Sequence, residues 1–95
     1  MKLPLSFSQR VTVPEGVLFR DLGEEAVLLN LSSSHYFGLN PTGTRIWKAL
    51  ISAPTLQSGF EALLSDLDVE EDRLRRDVSA LVSELVDQGL LGLQP

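Results

Sequence analysis

Cysteine is absent from the 95 residues of the chain. That excludes disulfides and every Cys-based zinc or redox centre. Histidine is almost absent as well: His35 is the sole imidazole, so a conventional transition-metal site within one chain lacks its ligands. No apolar run is long enough to cross a bilayer, and the N-terminal "MKLPLSFSQRV" lacks the long apolar core of a signal peptide. The expected location is the cytoplasm, with no membrane partner. Phosphate loops are missing too, since "GLNPTG" holds two glycines but neither G-x-x-x-x-G-K nor G-x-G-x-x-G occurs. There is no G-x-S-x-G elbow and nothing to supply an oxyanion hole. The expectation is a non-enzyme with no catalytic residue, cofactor or metal.

Positive charge is scarce. Eight Lys and Arg face thirteen Asp and Glu, a formal net charge of −5. The imbalance sits at one end: residues 1–60 are close to neutral, at about +1, whereas residues 61–95 hold nearly all the excess acid, at about −6. Such a surface repels phosphate backbones, so nucleic acid is disfavoured and a basic peptide is favoured. The hydrophobic fraction of 43% suits a globular chain, and the length suits one small domain spanning 1–95.

The first 14 residues are weakly patterned, punctuated by Pro4 and Pro14, and read as an N-terminal tail or edge segment. From Val17 the texture is β. "VLFRDL" leads through a turn at Gly23 to "AVLLNL", and a serine turn at Ser32–Ser34 leads to "HYFGL". Ala26–Leu31 is apolar at nearly every position, as in a central strand covered on at least part of both faces.

Helical signals begin at Asn40. Asn40 is a natural N-cap and Pro41 fits the first helical position. Ile46, Trp47, Leu50 and Ile51 share one face, and "SAP" ends the helix at Pro54. Gly43 weakens the first turn, so packing must hold it. Thr55 caps a second helix carrying Leu56, Phe60, Leu63, Leu64 and Leu67. Asp68 with Glu71 three residues on is a variant capping box, predicting a long third helix over roughly 69–88 that stops at Gly89. "LLGL" follows as a short extended piece against the sheet.

The order predicts an α+β domain, winged helix-turn-helix-like, with a three-stranded antiparallel sheet followed by three helices. Arg73, Arg75 and Arg76 on the third helix offer a phosphate-contacting cluster for a winged-helix DNA-binding protein. They stand among Glu70, Glu71, Asp72 and Asp77, where Glu71–Arg75 and Asp72–Arg76 form helical i,i+4 pairs, and a salt-bridged solvent face explains them better. As consecutive helical residues, the acids at 70–72 point to different sides, which suits a solvated first turn more than a cation site. His35 after three serines invites a triad reading, but a hairpin turn accounts for the same residues.

An unguarded edge is the more informative feature. Natural edge strands carry lysine, proline or a bulge against unwanted pairing, and "HYFGL" has none. Either its own chain covers this edge, for which residues 1–14 are available, or it is kept for an incoming strand. The apolar stripe Leu74, Val78, Leu81, Val82, Leu85 and Val86 is wider than a one-sided core contact needs. Part of it would floor a groove beside such an edge.

"VLLNLSSSHYFGLNPTGTRIWKAL", two further helices and "LVSELVDQGLL" resemble the pyrroloquinoline quinone biosynthesis protein D superfamily over about residues 11–92. "YFGLN-x-TG-x-x-IW" and the lead-in "VPEGV" look most like its leader-binding proteins of lasso-peptide pathways, known as RiPP recognition elements. The resemblance implies a non-enzymatic adaptor. It binds a precursor leader peptide as an added strand beside the third strand and against the third helix. It then hands the leader to a cysteine-type leader protease and the peptide to an ATP-dependent cyclase. Carried onto this chain, the peptide-binding residues are Ser34, His35, Tyr36, Phe37, Gly38 and Leu39 on the strand, with Leu74, Arg75, Asp77, Val78, Leu81 and Glu84 on the helix. Gly38 permits close approach of the leader backbone, a kink or a bulge. The quinone-cofactor branch, working with a radical enzyme, is the alternative within the superfamily. The expected state is a monomer or a weak homodimer.

Overall fold

A computed structural model describes residues 7–94. Its elements are β1 (Arg10–Thr12), β2 (Val17–Asp21), β3 (Ala26–Asn30), β4 (His35–Leu39), α1 (Pro41–Ile51), α2 (Leu56–Asp66), α3 (Glu71–Asp87) and β5 (Gly92–Gln94). The architecture is α+β: β2, β3 and β4 form an antiparallel sheet in that order, and three helices follow. Pairing is unbroken along both ladders, from Val17↔Asn30 to Asp21↔Ala26 and from Asn30↔His35 to Ala26↔Leu39.

Period-two alternation sorts the strands into two faces. Phe19, Leu28 and Phe37 lie in one row on the inner face, and Leu28 at their centre is fully buried. The buried core has two lobes. One joins Ala26, Leu28 and Leu39 of the sheet to Trp47, Leu85, Leu90 and Leu91. The other joins Ile46, Leu50, Leu56, Phe60, Leu63, Leu74, Val78 and Val82 between the helices. α1 and α3 supply both lobes, so the helices form one layer against one face of the sheet. Trp47 stacks on Phe19 at 6.0 Å and 8°. Its Nε1 has no hydrogen-bond partner among the described residues, so the ring contributes through packing.

The caps of α1 and α2 act as their residue types predict. The Asn40 side chain accepts from the Gly43 amide at 2.7 Å, and Thr55 accepts from the Ser58 amide at 3.1 Å. Gly89, in the left-handed region at φ 74, terminates α3, with the Leu90 amide returning to the Leu85 carbonyl at 2.8 Å.

The start of α3 departs from the expectation. Asp68 does not cap it; the N-cap is Glu70, which makes no side-chain capping bond, and the helix begins at Glu71. Leu67 ends α2 in an extended conformation, and the chain spends the next residues turning the corner that aims Leu74 and Val78 into the core. Packing of the apolar stripe thereby overrides the local capping signal. Of the two expected ion pairs, Glu71–Arg75 is present at 3.7 Å. Asp72 and Arg76, both exposed, do not pair, in keeping with the small gain from an ion pair in water.

The chain ends also go elsewhere than expected. β1 pairs with β5, Arg10↔Gln94 to Thr12↔Gly92, as a separate two-stranded ribbon. The extended piece after α3 therefore joins the N-terminal segment and not the three-stranded sheet. Just before β1, the carbonyls of Phe7 and Gln9 accept from the Gln57 and Leu56 amides at 2.8 and 2.9 Å. These amides open α2 and need external acceptors. The part of the tail within residues 1–6 lies outside the described residues.

Candidate functional site

Among the described residues no strand pairs with the outer edge of β4. The expectation that residues 1–14 might cover it is thus answered for residues 7–14, which are used in the ribbon and on α2. β2 is the other edge of the sheet, but it carries Arg20 and Asp21, the charged guards that β4 lacks.

Along β4 the backbone alternates what it shows. His35 and Gly38 are exposed, Tyr36 is 77% exposed on the outer face, Phe37 is half-buried on the inner face, and Leu39 is buried. Ser34 does not belong to the strand. It ends the serine turn in the left-handed region, at φ 60, a conformation that costs a β-carbon roughly 1–2 kcal/mol. The turn is held by Asn30, whose Oδ1 accepts from the Ser32 amide at 3.0 Å and more weakly from Ser33 at 3.4 Å. Gly38 needs no special explanation from within: its register with Val27 is regular, so there is no bulge, and a β-carbon added there meets nothing within 4 Å.

The six helix residues divide three ways. Leu74 and Val78 are at most 2% exposed and belong to the inter-helix core, so they show no surface to an incoming peptide. Arg75 is engaged elsewhere, its guanidinium 4.7 and 4.5 Å from the ring centres of Phe7 and Phe60, which themselves meet edge to face at 5.6 Å. These cation–π contacts tie the N-terminal segment and α2 to α3.

Asp77, Leu81 and Glu84 remain. Spaced four and three apart, they share one stripe of α3, and Leu81 packs on both core lobes, the inter-helix one included. Asp77 and Glu84 are exposed, and Leu81 is half-buried. Leu81 from α3 and Phe37 from β4 both lean on the core lobe that contains Leu28, Leu39 and Leu85. Phe37 and Leu81 thus share one core lobe, while the backbone edge of β4 and the carboxylates of Asp77 and Glu84 are exposed. Asn30 was missed as a contributor by the sequence reading, although an Asn two residues before a serine run is a turn signal.

A groove of about 670 Å³ between α1 and α2 is lined by Arg45, Lys48, Ser52, Ser65, Asp66 and small apolar residues, none of them from β4 or α3. No group of three His, Cys, Asp or Glu residues is placed to hold a metal ion among the described residues, and no helix there is long and apolar enough to cross a membrane.

The family described as coenzyme PQQ synthesis protein D (PqqD) matches residues 25–91, from the start of β3 to the end of the α3 stop. The chain belongs to the PqqD family. Two solved structures are similar to this chain. TbiB1 in complex with the TbiA(beta) leader peptide superposes with a TM-score of 0.76 at 28% identity, over 83% of this chain and 92% of that one. A lasso peptide synthetase B1 complexed with the leader peptide superposes with a TM-score of 0.77 at 25% identity, over 87% and 98%. No curated protein matches the chain. The PqqD-matching stretch contains β4 and α3 whole and leaves out β1, β2 and β5.

Proposed function

We propose that this PqqD-family chain is a non-enzymatic adaptor of a lasso-peptide pathway, binding the leader of a ribosomally made precursor by strand addition at β4. The observation that carries the reading is the edge of β4, unguarded and, among the described residues, unpaired, with Phe37 and Leu81 on one core lobe, in a chain whose structural neighbours are complexes with leader peptides. An added strand gains main-chain hydrogen bonds worth roughly 0.5–1.5 kcal/mol each, with selectivity from side chains reaching Phe37, Leu81, Asp77 and Glu84.

Relative to the residues expected from sequence, the proposed site keeps His35–Leu39, Asp77, Leu81 and Glu84. Leu74 and Val78 belong to the inter-helix core, and Arg75 anchors the N-terminal segment. Having bound the leader, the adaptor presents the precursor to a cysteine-type leader protease and an ATP-dependent cyclase. Isothermal titration with the leader encoded beside this gene tests the reading. One-to-one binding that weakens as salt rises supports it, because the carboxylates stand at the solvent rim. A folded protein that leaves this leader unbound overturns it.

A further inference from the structure

Residues 7–12 form a strap that grips α3 near its start and again beyond its end. Near the start, the Arg75 guanidinium lies 4.7 Å from the Phe7 ring centre and 4.5 Å from that of Phe60 on α2. Glu71 stands 3.7 Å from the same guanidinium. The Phe7 and Gln9 carbonyls meanwhile satisfy amides that open α2. Beyond the end of α3, β1 of the strap pairs with β5. Val11 and Leu93, partners in that ribbon, both pack on the inter-helix lobe of the core. Gly92 fits the ribbon closely, since a β-carbon on it would stand 2.6 Å from Thr12 Oγ1.

Family membership does not account for this arrangement, because the strap and β5 both lie outside the matching residues 25–91. Between the two points of grip lie Asp77, Leu81 and Glu84. The helix packed most closely on β4 is α1, whereas α3 packs on α2. α3 thus takes its place beside the β4 edge mainly through other elements, and the strap is one of them.

We infer that Phe7 and Arg75 are positioning residues of the leader site. The strap fixes where α3 presents Asp77, Leu81 and Glu84 to a strand at β4, and it acts through the helix and not by touching the leader. The inference rests on the adaptor reading and names a support for its site. Leu81 is six residues on from Arg75, about 9 Å along a helix, so a shift at the grip is carried to the stripe. Binding constellations need their groups held to within about 0.5 Å. Phe7 and Arg75 are both only half-buried, so their contact can be removed while the buried core stays whole.

Phe7→Leu, Arg75→Gln and the double variant are titrated with the leader encoded beside this gene. Phe7→Tyr, which keeps the ring, is the conservative control. The Leu81 methyl resonances of each protein without leader report where α3 sits. Expected are leader affinities about three- to tenfold weaker in both single variants, with moved Leu81 resonances. The double variant should be no worse than the weaker-binding single one, because all three lose one shared contact. Phe7→Tyr should behave as wild type does. Asp21→Asn, which breaks the Lys48 pair away from the strap, should change neither leader affinity nor Leu81. Wild-type affinity in folded Phe7→Leu and Arg75→Gln overturns the inference. A loss in Arg75→Gln alone, with Leu81 unmoved, also overturns it and makes Arg75 a leader contact. An equal loss in Asp21→Asn reduces the effect to stability and overturns it as well. A folded wild type that leaves the leader unbound is a separate result, which removes the adaptor reading and this inference with it.

Discussion

Asn30 and Gly89 are joined across 59 positions of sequence, the Asn30 Nδ2 donating to the Gly89 carbonyl at 3.2 Å. The same side chain organises the serine turn through its Oδ1. One residue thus fixes the start of β4 relative to the end of α3, the two elements that bound the proposed groove. Replacing Asn30 with Ala removes both roles. The expected loss is about 1 kcal/mol in urea unfolding, with a further fall in leader affinity as the turn loosens. Unchanged stability would show that the turn holds without it.

Proline at Tyr36 or Phe37 tests the edge directly. Proline cannot donate to a ladder. Leader binding is expected to vanish in titration while far-UV circular dichroism retains its helical signal. A folded proline variant that binds as wild type does would remove strand addition as the mode.

Leu81 and Leu74 differ in what they touch, although both belong to the same apolar stripe. Leu81→Ala should weaken leader binding by about 1–2 kcal/mol, in line with removing part of an apolar side chain from a contact surface, with a smaller effect on folding. Leu74→Ala opens a cavity in the helical core and should cost about 2–5 kcal/mol of stability. Paired denaturation and titration of the two variants separate floor from core.

Gly59 is set by the approach of two helices. A β-carbon there would stand 2.8 Å from Leu50 Cδ2 and 3.3 Å from the Ala49 carbonyl and the Leu50 Cα. Alanine gains up to about 1 kcal/mol of helix propensity but overpacks a backbone contact, which costs about 1–3 kcal/mol. Gly59→Ala is therefore expected to lower the melting temperature. A rise would mean that α1 and α2 separate without penalty.

The tip of the first hairpin should respond to acid. Lys48 Nζ lies 2.7 Å from Asp21 Oδ2, and this bond, with the Gly23 amide, holds the Asp21 carboxyl below its ordinary titration range. A depressed native value means that the contribution is present above the unfolded titration range, near pH 4, and is lost as pH falls through the native one. Wild type should exceed Asp21→Asn in stability at neutral pH, and the two should converge in strong acid. A gap that persists in strong acid would contradict the pairing.

How much of this was written in the sequence depends on the distance over which each signal acts. The three strands, the caps at Asn40 and Thr55, the stop at Gly89 and the unguarded wording of "HYFGL" are local: period, capping and edge chemistry operate within a few residues. The chain alone therefore determined a three-stranded sheet followed by three helices, with a bare edge on the last strand. Everything that joins distant residues was decided by the tertiary structure. Packing put the N-cap of α3 at Glu70 and not at Asp68, sent β1 to β5, left the outer edge of β4 unpaired among the described residues, and laid Arg75 on Phe7 and Phe60. It also split one apolar stripe into a buried Leu74 and Val78 and a half-exposed Leu81. Such choices follow from how whole surfaces fit together in a close-packed interior, and no local pattern encodes them.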